Sequence, residues 1–272
     1  MINGFYTSAS GMNVQLVNQD VLANNLANVN TPGYKKDFTV VQAFPNVLLH
    51  RIDDRADASP VAVPPPWSAQ ASPMIGEMGK GAEVAGVVTD YADGATMQTH
   101  NPLDLALRGN AMFTVQMPDG SYAYTRAGNF TLNSQDQLVT QAGQPVMGRR
   151  GPIVIQPQQS GSVVIDAKGQ VTVDGSVVDN LMLTTFQQPN DLAKQGSDLY
   201  VSKDGVGLTT DPSQLTATVQ QGYLENSNVS AIQEMVNMIS VLRAYESDQK
   251  SIMAQDQTLN AAVNQVGNLS AT

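Results

Sequence analysis

The hydrophobic positions of residues 2–29 recur at the spacing of an α-helix. Side chains seven residues apart form two neighbouring rows, apolar except for one glutamine: Phe5, Met12, Gln19 and Leu26, beside Ala9, Leu16 and Ala23. Rows of this period make a narrow stripe of the coiled-coil kind. The pattern predicts a long N-terminal helix, and a stripe of this width is by itself typical of a helix that packs within its own domain.

Asparagines are concentrated where this helix is predicted to end. Four of them share one short stretch: Asn24, Asn25, Asn28 and Asn30. An asparagine amide competes for nearby backbone groups and therefore favours helix ends over helix interiors. Thr31 must leave the α region because Pro32 follows it, and Gly33 permits a positive φ. We therefore expect the helix to end by Asn30.

The remaining surface of this helix is polar but almost uncharged, since Asp20 is the only charged side chain before Lys35. A solvated helix face usually carries lysine and glutamate. A face rich in amides can be buried against other protein without removing ions from water. This face is therefore predicted to contact protein.

The middle of the chain changes character twice. Residues 36–98 are irregular and include a proline-rich stretch at 60–66, so we predict an extended linker there, with a short strand or extended run at 40–48 and a strand at 83–91. Residues 99–221 contain short apolar or alternating runs separated by turn residues such as Asp119-Gly120 and Asp174-Gly175. Strands at this spacing without helices between them predict an all-β domain, an antiparallel sandwich or an open barrel.

Helical spacing returns after Gly222 and continues towards the C-terminus. Ser230 and Gln233 have the spacing of a capping box, and an apolar stripe follows them: Ile232, Met235, Val236, Ile239, Leu242, Ile252, Met253, Leu259, Val263 and Val266. A helix over residues 230–266 would be about 55 Å long at 1.5 Å per residue. That length exceeds what a compact β domain needs as a cover.

Two narrow stripes at opposite ends of a chain most simply pack on one another. The predicted fold is therefore α+β, with long N- and C-terminal helices paired as a coiled-coil-like domain and an all-β domain inserted between them. Residues 1–35 and 222–272 would form the helical domain, 36–98 the linker and 99–221 the β domain. The alternative is that two separate helices clamp the β domain.

Composition narrows the possible functions. The net charge is −10, and binding of nucleic acid needs clustered lysine and arginine, so a nucleic-acid partner is not expected. No apolar run approaches the roughly 18 residues of a spanning helix, so membrane insertion is not expected either. Cysteine is absent, and residues 1–11 lack the basic and apolar regions of a cleavable signal peptide.

Catalytic chemistry has little support in the sequence. His50 and His100 are the only histidines, and no nucleophile motif or evident set of carboxylate ligands accompanies them. Asp53, Asp54 and Asp57 lack the spacing and glycine of a calcium loop. We predict a protein that is not an enzyme, with no catalytic residue, metal or cofactor.

Three groups of residues resemble the bacterial flagellar rod–hook axial protein family. The first is residues 22–36, LANNLANVNTPGYKK; the second is residues 101–109, NPLDLALRG, with PDG at 118–120 and YTRAGNF at 124–130. The third is residues 221–229, QGYLENSNV, followed by EMVNMI at 234–239 and RAYE at 243–246. They occur in family order and cover most of the chain, whose length is similar to that of the basal-body rod proteins, proximal or distal.

The resemblance implies a structural subunit of the flagellar basal-body rod. It implies export in an unfolded state by the flagellar type III apparatus, then polymerisation with copies of itself and with other rod and hook axial proteins. In the resulting helical tube the terminal helices would line the inside and the β domains would lie outside. The alternatives are a hook-type paralogue and, in a different class, a secreted adhesin or hydrolase with clamping helices.

This hypothesis assigns two sets of residues. The polymerisation interface is predicted to contain apolar and amide side chains of both terminal helices: Phe5, Met12, Leu16, Gln19, Leu22, Leu26, Asn24, Asn25, Asn28, Val236, Ile239, Leu242, Ile252, Leu259 and Val263. Polar interruptions at Gln19, Glu246, Gln249 and Asp256 would fix the register of the seam. The family motif at Asn30, Thr31, Pro32, Gly33 and Tyr34 is predicted to be a hinge that redirects the chain towards the β domain.

Overall fold

The computed structural model describes residues 2–50, 74–155, 163–186, 192–202, 208–209 and 217–268. An N-terminal helix, α1 (Ile2–Ala27), and a C-terminal helix, α2 (Ala231–Asn268), flank a long β region. The predicted α+β class is confirmed. Both predicted helices are also present, and their ends lie within three residues of the expected positions. Neither helix is long and apolar enough, over its described residues, to cross a membrane.

The β region contains nineteen short strands among the described residues. The first five are β1 (Asp37–Ala43), β2 (Val47–His50), β3 (Met74–Met78), β4 (Ala82–Thr89) and β5 (Thr96–Gln98). The next seven are β6 (Leu105–Arg108), β7 (Ala111–Gln116), β8 (Tyr122–Thr125), β9 (Thr131–Leu132), β10 (Leu138–Val139), β11 (Val163–Ile165) and β12 (Gln170–Val173). The last seven are β13 (Ser176–Asn180), β14 (Leu183–Phe186), β15 (Leu192–Gln195), β16 (Leu199–Ser202), β17 (Leu208–Thr209), β18 (Thr218–Gln221) and β19 (Tyr223–Glu225).

The segment predicted to be a linker is partly built from strands. β1 pairs with β4, and β2 pairs with β3 in antiparallel register, with Val47 opposite Met78. The β-branched residues of this segment, including Val40, Val41 and Val84, favour pleated structure over an open connector. Strands therefore occupy much of 37–50 and 74–98, including the runs at 40–48 and 83–91 where the sequence indicated them, and the division into linker and β domain stays a prediction. The proline-rich stretch 60–66 lies outside the described residues.

The chain divides into two units. The first comprises Met1–Asp20, Thr39–Val87 and Ile239–Thr272, and the second comprises Val21–Phe38 and Val88–Met238. In the first unit the two terminal helices approach each other at glycines. A Cβ added at Gly4 would lie 2.7 Å from Nε2 of Gln255, and one added at Gly11 would lie 2.8 Å from a carboxylate oxygen of Asp248. The helices therefore run antiparallel where they meet.

The second unit contains the main core. Six strands form one sheet in the order β15-β16-β8-β7-β14-β17, and β11, β12 and β13 form a three-stranded antiparallel sheet. Phe113 on the central strand β7 is fully buried and packs edge-on against Phe130, with ring centroids 5.0 Å apart. Pairs β6–β18 and β5–β19 join early strands to the last strands before α2. The last two strands before α2 are therefore hydrogen-bonded to β5 and β6, near the beginning of the second unit.

Candidate assembly surface and the corner beneath it

The first three turns of α2 carry an exposed apolar stripe. Its members follow helical spacing along one face: Ile232, Met235, Val236, Ile239 and Leu242, with exposed fractions of 78%, 49%, 52%, 52% and 40%. A single exposed leucine is ordinary in a soluble protein, but a contiguous apolar helix face indicates an interaction surface. We name these five residues the outer stripe.

A different face of α2 turns towards α1 in the first unit. Half-buried side chains follow alternating steps of four and three residues: Val241, Tyr245, Asp248, Ile252, Gln255 and Leu259. Asp248 and Gln255 of this row stand against Gly11 and Gly4. Gly4 and Gly11 are seven residues apart on α1, and Asp248 and Gln255 are seven apart on α2. Seven residues is the repeat of a coiled coil. Glycine allows this approach because it has no side chain to displace the partner.

The structure thus separates residues that the sequence placed in one interface. Val236, Ile239, Leu242 and Val263 are exposed, whereas Ile252 and Leu259 belong to the half-buried row facing α1. On α1, Leu16 is 45% exposed, and the other predicted apolar and glutamine positions are half-buried: Phe5, Met12, Gln19, Leu22 and Leu26. Glu246, Gln249 and Asp256 are exposed, so the polar residues that face α1 are Asp248 and Gln255 instead.

The uncharged polar face of α1 has partners within its own unit. Asn18 Oδ1 accepts a hydrogen bond from the Thr39 hydroxyl, and Ser10 Oγ accepts one from the Ala82 backbone N–H at 3.3 Å. Gly81 packs directly on Ser10 and Thr7, with a φ of +119°. The prediction that this face contacts protein is therefore met by strands of the same chain.

The asparagines at the end of α1 divide into buried and exposed members. Asn25 is 1% exposed, and its amide donates to Asp37 O at 2.8 Å while its Oδ1 accepts from Asp37 N at 2.9 Å. The Tyr34 hydroxyl bonds to Asn24 Oδ1 at 2.8 Å and to Asn25 Oδ1 at 3.1 Å. Asn25 was assigned to the interface because its type suits burial, but its amide groups are used inside the chain.

Residues 28–37, which we call the corner, carry the chain from α1 into β1. The Gly33 N–H donates to Glu225 O at 2.8 Å, and Tyr34 and Lys35 are buried. Gly33 has a φ of +69°, and an added Cβ would collide with the backbone of Arg126 and Ala127. The predicted change of chain direction occurs here. Its backbone is fixed by contacts on several sides, so movement as a hinge stays a prediction.

A cluster of buried charges lies under the corner. Lys35 Nζ is 2.5 Å from Glu225 Oε1, and Arg126 Nη1 is 3.2 Å from Glu225 Oε2. Arg126 Nη2 also reaches Asp93 Oδ1 at 3.2 Å. Lys35 and Glu225 are each 1% exposed, Arg126 is 3% exposed and Asp93 is 48% exposed. We name these four residues the corner cluster. Burial lowers the pKa of Lys35, and the charge of Glu225 opposes that shift.

Lys194 on β15 holds the other side of the corner. Its Nζ donates to Lys35 O at 2.8 Å and to Asp37 Oδ2 at 2.9 Å, and it lies 3.8 Å from the centroid of the Tyr34 ring. Burial lowers the pKa of Lys194, and its hydrogen bond to Asp37 offsets only part of that shift. Burial also raises the pKa of Tyr34 well above its usual value. These contacts fix the backbone and the ring together.

The sequence prediction missed Lys35, Arg126, Glu225 and Lys194. One signal for the first three was present, since each lies in a different one of the three motif groups, at 22–36, 124–130 and 221–229. Lys194 lies in none of them. Its role depends on a strand that reaches the corner only in the folded chain.

Comparison with known proteins places these features in a family. A family described as "Flagella basal body rod protein" matches residues 5–35, and "Flagellar hook protein FlgE/F/G D1 domain" matches residues 106–173. "Flagellar basal body rod FlgEFG protein C-terminal" matches residues 220–265. The flagellar basal-body rod protein FlgG of Borreliella burgdorferi is 33% identical over 275 residues, covering 97% of this chain and 98% of that protein. The chain belongs to the flagellar basal-body rod protein family.

Other relatives agree over nearly full length. FlgG of Buchnera aphidicola subsp. Schizaphis graminum is 33% identical over 95% of this chain and 98% of its own. The flagellar hook-basal body complex protein FlhO of Bacillus subtilis is 29% identical over 99% and 100%. The chain is a structural subunit of the basal-body rod, and its location is the flagellar basal body. The rod protein family is structural and not enzymatic.

Proposed function

We propose that this rod protein polymerises into a helical tube through its terminal helices. The observation that carries the proposal is the outer stripe, five apolar side chains that are between 40% and 78% exposed in the single chain. Exposing this face in the finished structure would favour nonspecific association. Contact with neighbouring axial subunits, copies of this chain and other rod or hook proteins, would remove the face from water.

The antiparallel contact of α1 and α2 is proposed to extend as a coiled-coil-like seam. Support comes from the two glycine contacts, seven residues apart, and from the four-three spacing of the half-buried row on α2. In this arrangement α1 and α2 would supply the polymerisation domain, residues 1–35 and 222–272. Residues 99–221 would form the outer β domain, as a sandwich or an open barrel.

Export is proposed to precede assembly. The family resemblance implies passage in an unfolded state through the flagellar type III apparatus, which becomes the second partner of the chain. The absence of cysteine agrees with this route, because no disulfide has to form before or during export.

Electron microscopy of the purified full-length chain at rising concentration tests polymerisation. We expect ordered tubes or protofilaments, and the variant Leu26→Asp should lose them while its β-sheet circular dichroism is unchanged. Leu26 is half-buried at the end of α1. A chain that stays monomeric by sedimentation at every concentration would contradict the proposal. A Leu26→Asp variant that still forms normal tubes would contradict the assignment of Leu26 to the helix seam.

A second candidate is a role as a hook-type paralogue within the same axial structure. The relative FlhO, a hook-basal body complex protein that aligns over its whole length, favours it. Complementation distinguishes the two candidates. A rod subunit restores rod formation in a strain lacking its own FlgG, and a hook-type paralogue does not.

A further inference from the structure

The corner cluster draws its four members from distant parts of the chain. Lys35 and Glu225 are 190 positions apart, and Arg126 and Glu225 are 99 apart. Lys35 follows α1, Asp93 lies between β4 and β5, Arg126 follows β8, and Glu225 ends β19. The cluster is therefore complete only when the C-terminal part of the chain has joined the rest.

The charges of the cluster balance only as a set. Lys35 and Arg126 contribute two positive charges, and Asp93 and Glu225 contribute two negative ones. Without Glu225, two buried cations would share the half-exposed Asp93. An uncompensated buried charge is strongly destabilising, whereas a balanced pair is close to neutral against apolar residues of the same size.

The same residues also fix the backbone on both sides of the corner. Glu225 O accepts from Gly33 N–H at 2.8 Å, and Glu225 Oε1 accepts from Gly94 N–H at 2.9 Å. Three residues further on, Asn228 Oδ1 accepts from Lys36 N–H at 2.7 Å, and its amide donates to Asp90 O at 2.9 Å. Residues 225–228, which lead into α2, are thus bonded both to the corner and to residues 90–94.

We propose that Glu225 completes a network of buried ion pairs, which we call the charge lock. In this network Lys35 and Arg126 are balanced only when the C-terminal segment supplies the Glu225 carboxylate. Without the Glu225 carboxylate, the side of the corner that faces residues 225–228 is not fixed, whereas Lys194 and Asn25 still hold the other side. Glu225 is therefore a positioning residue for the corner and for the segment that leads into α2. The corner is complete only when residues 225–228 have joined it.

A double-mutant cycle on the full-length chain tests the lock. Glu225→Gln and Lys35→Met are each expected to raise the unfolding equilibrium constant at least about tenfold in urea titrations followed by circular dichroism. The double variant leaves Arg126 balanced by Asp93. The unfolding equilibrium constant of the double variant should be at least about tenfold smaller than the product of the two single effects predicts.

The adjacent pair Lys36–Asp90 is the matched control. It is also an ion pair, at 3.5 Å, but its side chains are 38% and 34% exposed. Lys36→Met and Asp90→Asn should combine to within about twofold of the product of their single effects, because exposed pairs contribute little. Coupling at Lys35–Glu225 that is no larger than this control would overturn the proposal.

If Glu225→Gln does not fold, adding Lys35→Met should restore folding, and failure to do so also overturns the proposal. Hydrogen exchange tests positioning separately from stability. The Gly33 and Gly94 amides should lose protection in Glu225→Gln under conditions where the amides of β7 and β8 keep theirs. Equal protection of the Gly33 and Gly94 amides in the parent and in Glu225→Gln would show that Glu225 does not position the corner. These measurements do not depend on polymerisation, so a parent chain that forms no tubes contradicts the proposed function and leaves the lock testable.

Discussion

Gly33 occupies a position that no other residue type fits well. Its φ of +69° lies in the left-handed region, and the backbone of Arg126 and Ala127 lies where a Cβ would project. Backbone atoms cannot move aside as the end of a long side chain can. Two separate penalties, conformational strain and collision, therefore apply to any substitution.

Gly33→Ala is expected to lower the free energy of unfolding by at least about 2 kcal/mol in urea titrations. Gly120→Ala is the matched control, because Gly120 has a φ of +86° but nothing within 4 Å of an added Cβ. Its cost should be the strain alone, about 1 kcal/mol. If the two variants lost the same free energy of unfolding, the close contact of Gly33 with Arg126 and Ala127 would add no penalty to that of the backbone conformation.

At the scale of the residue, the sequence predicted backbone conformation better than it predicted which side chains contact one another. The Thr-Pro-Gly order after the asparagines was enough to predict the helix end, and Gly33 permits the positive φ that the structure shows. The cluster of Lys35, Arg126 and Glu225 could not be predicted, because charged residues are seldom fully buried and their spacing along the chain has no period. Asn25 was assigned to the wrong surroundings for a related reason. An amide satisfies a partner in its own chain as readily as one in a neighbour.

At the scale of the element, α2 has two faces with different surroundings. The outer stripe is exposed in the single chain, and the row containing Ile252 faces α1. The length and the ends of α2 were predictable from periodicity and the capping box. The division into two faces was not, because every apolar residue at helical spacing was counted into one stripe.

This division predicts opposite effects for two similar substitutions. Ile239→Asp should change the free energy of unfolding by less than about 0.5 kcal/mol, since Ile239 is 52% exposed, but it should abolish tubes in electron microscopy. Ile252→Asp should destabilise the chain itself by about 1–3 kcal/mol in urea titrations, because it places a carboxylate against α1. If Ile239→Asp assembled normally, the outer stripe would have no role in the polymer.

At the scale of the whole molecule, the stability of the second unit is expected to fall at alkaline pH. Burial raises the pKa of Tyr91 from 10.0 to about 12, and it also raises the pKa values of Tyr34, Tyr124 and Tyr200. These phenols stay protonated in the folded chain at a pH where the unfolded chain loses their protons. Their contribution to stability is complete below pH 10.0 and is lost as the pH rises through the raised values.

We therefore expect the free energy of unfolding to fall steadily between pH 10.5 and 12. The lowered pKa values of Lys35 and Lys194 act below their usual 10.5 and in the opposite sense, so this window isolates the tyrosines. Urea titrations across the window, with tyrosinate absorbance of the folded chain, measure the effect. Tyr91→Phe should make the fall shallower. A flat stability profile would contradict the assignment of these phenols to the interior.

The overall α+β plan was predictable because helical and strand periodicities occupy separate parts of the chain. The order β15-β16-β8-β7-β14-β17 was not, since strand pairing across 70 or more residues leaves no local pattern. Strands at 40–48 and 83–91 were predictable from their β-branched residues, but the pairing of β1 with β4 and of β2 with β3 was not, for a comparable reason.

The hydrogen bond between Gly33 N–H and Glu225 O has a consequence for how such chains can be remodelled. The segment between these residues leaves and returns at the same point, 2.8 Å apart. Where the two ends of a segment meet, those parts of it that contact nothing outside the segment can be lengthened, shortened or exchanged. A replacement would have to keep the contacts of β1 and β4 with α1 and supply both buried cations, Lys35 and Arg126, to Glu225. The terminal helices, β1, β4 and the corner cluster would then stay constant while the remaining loops of the β region vary.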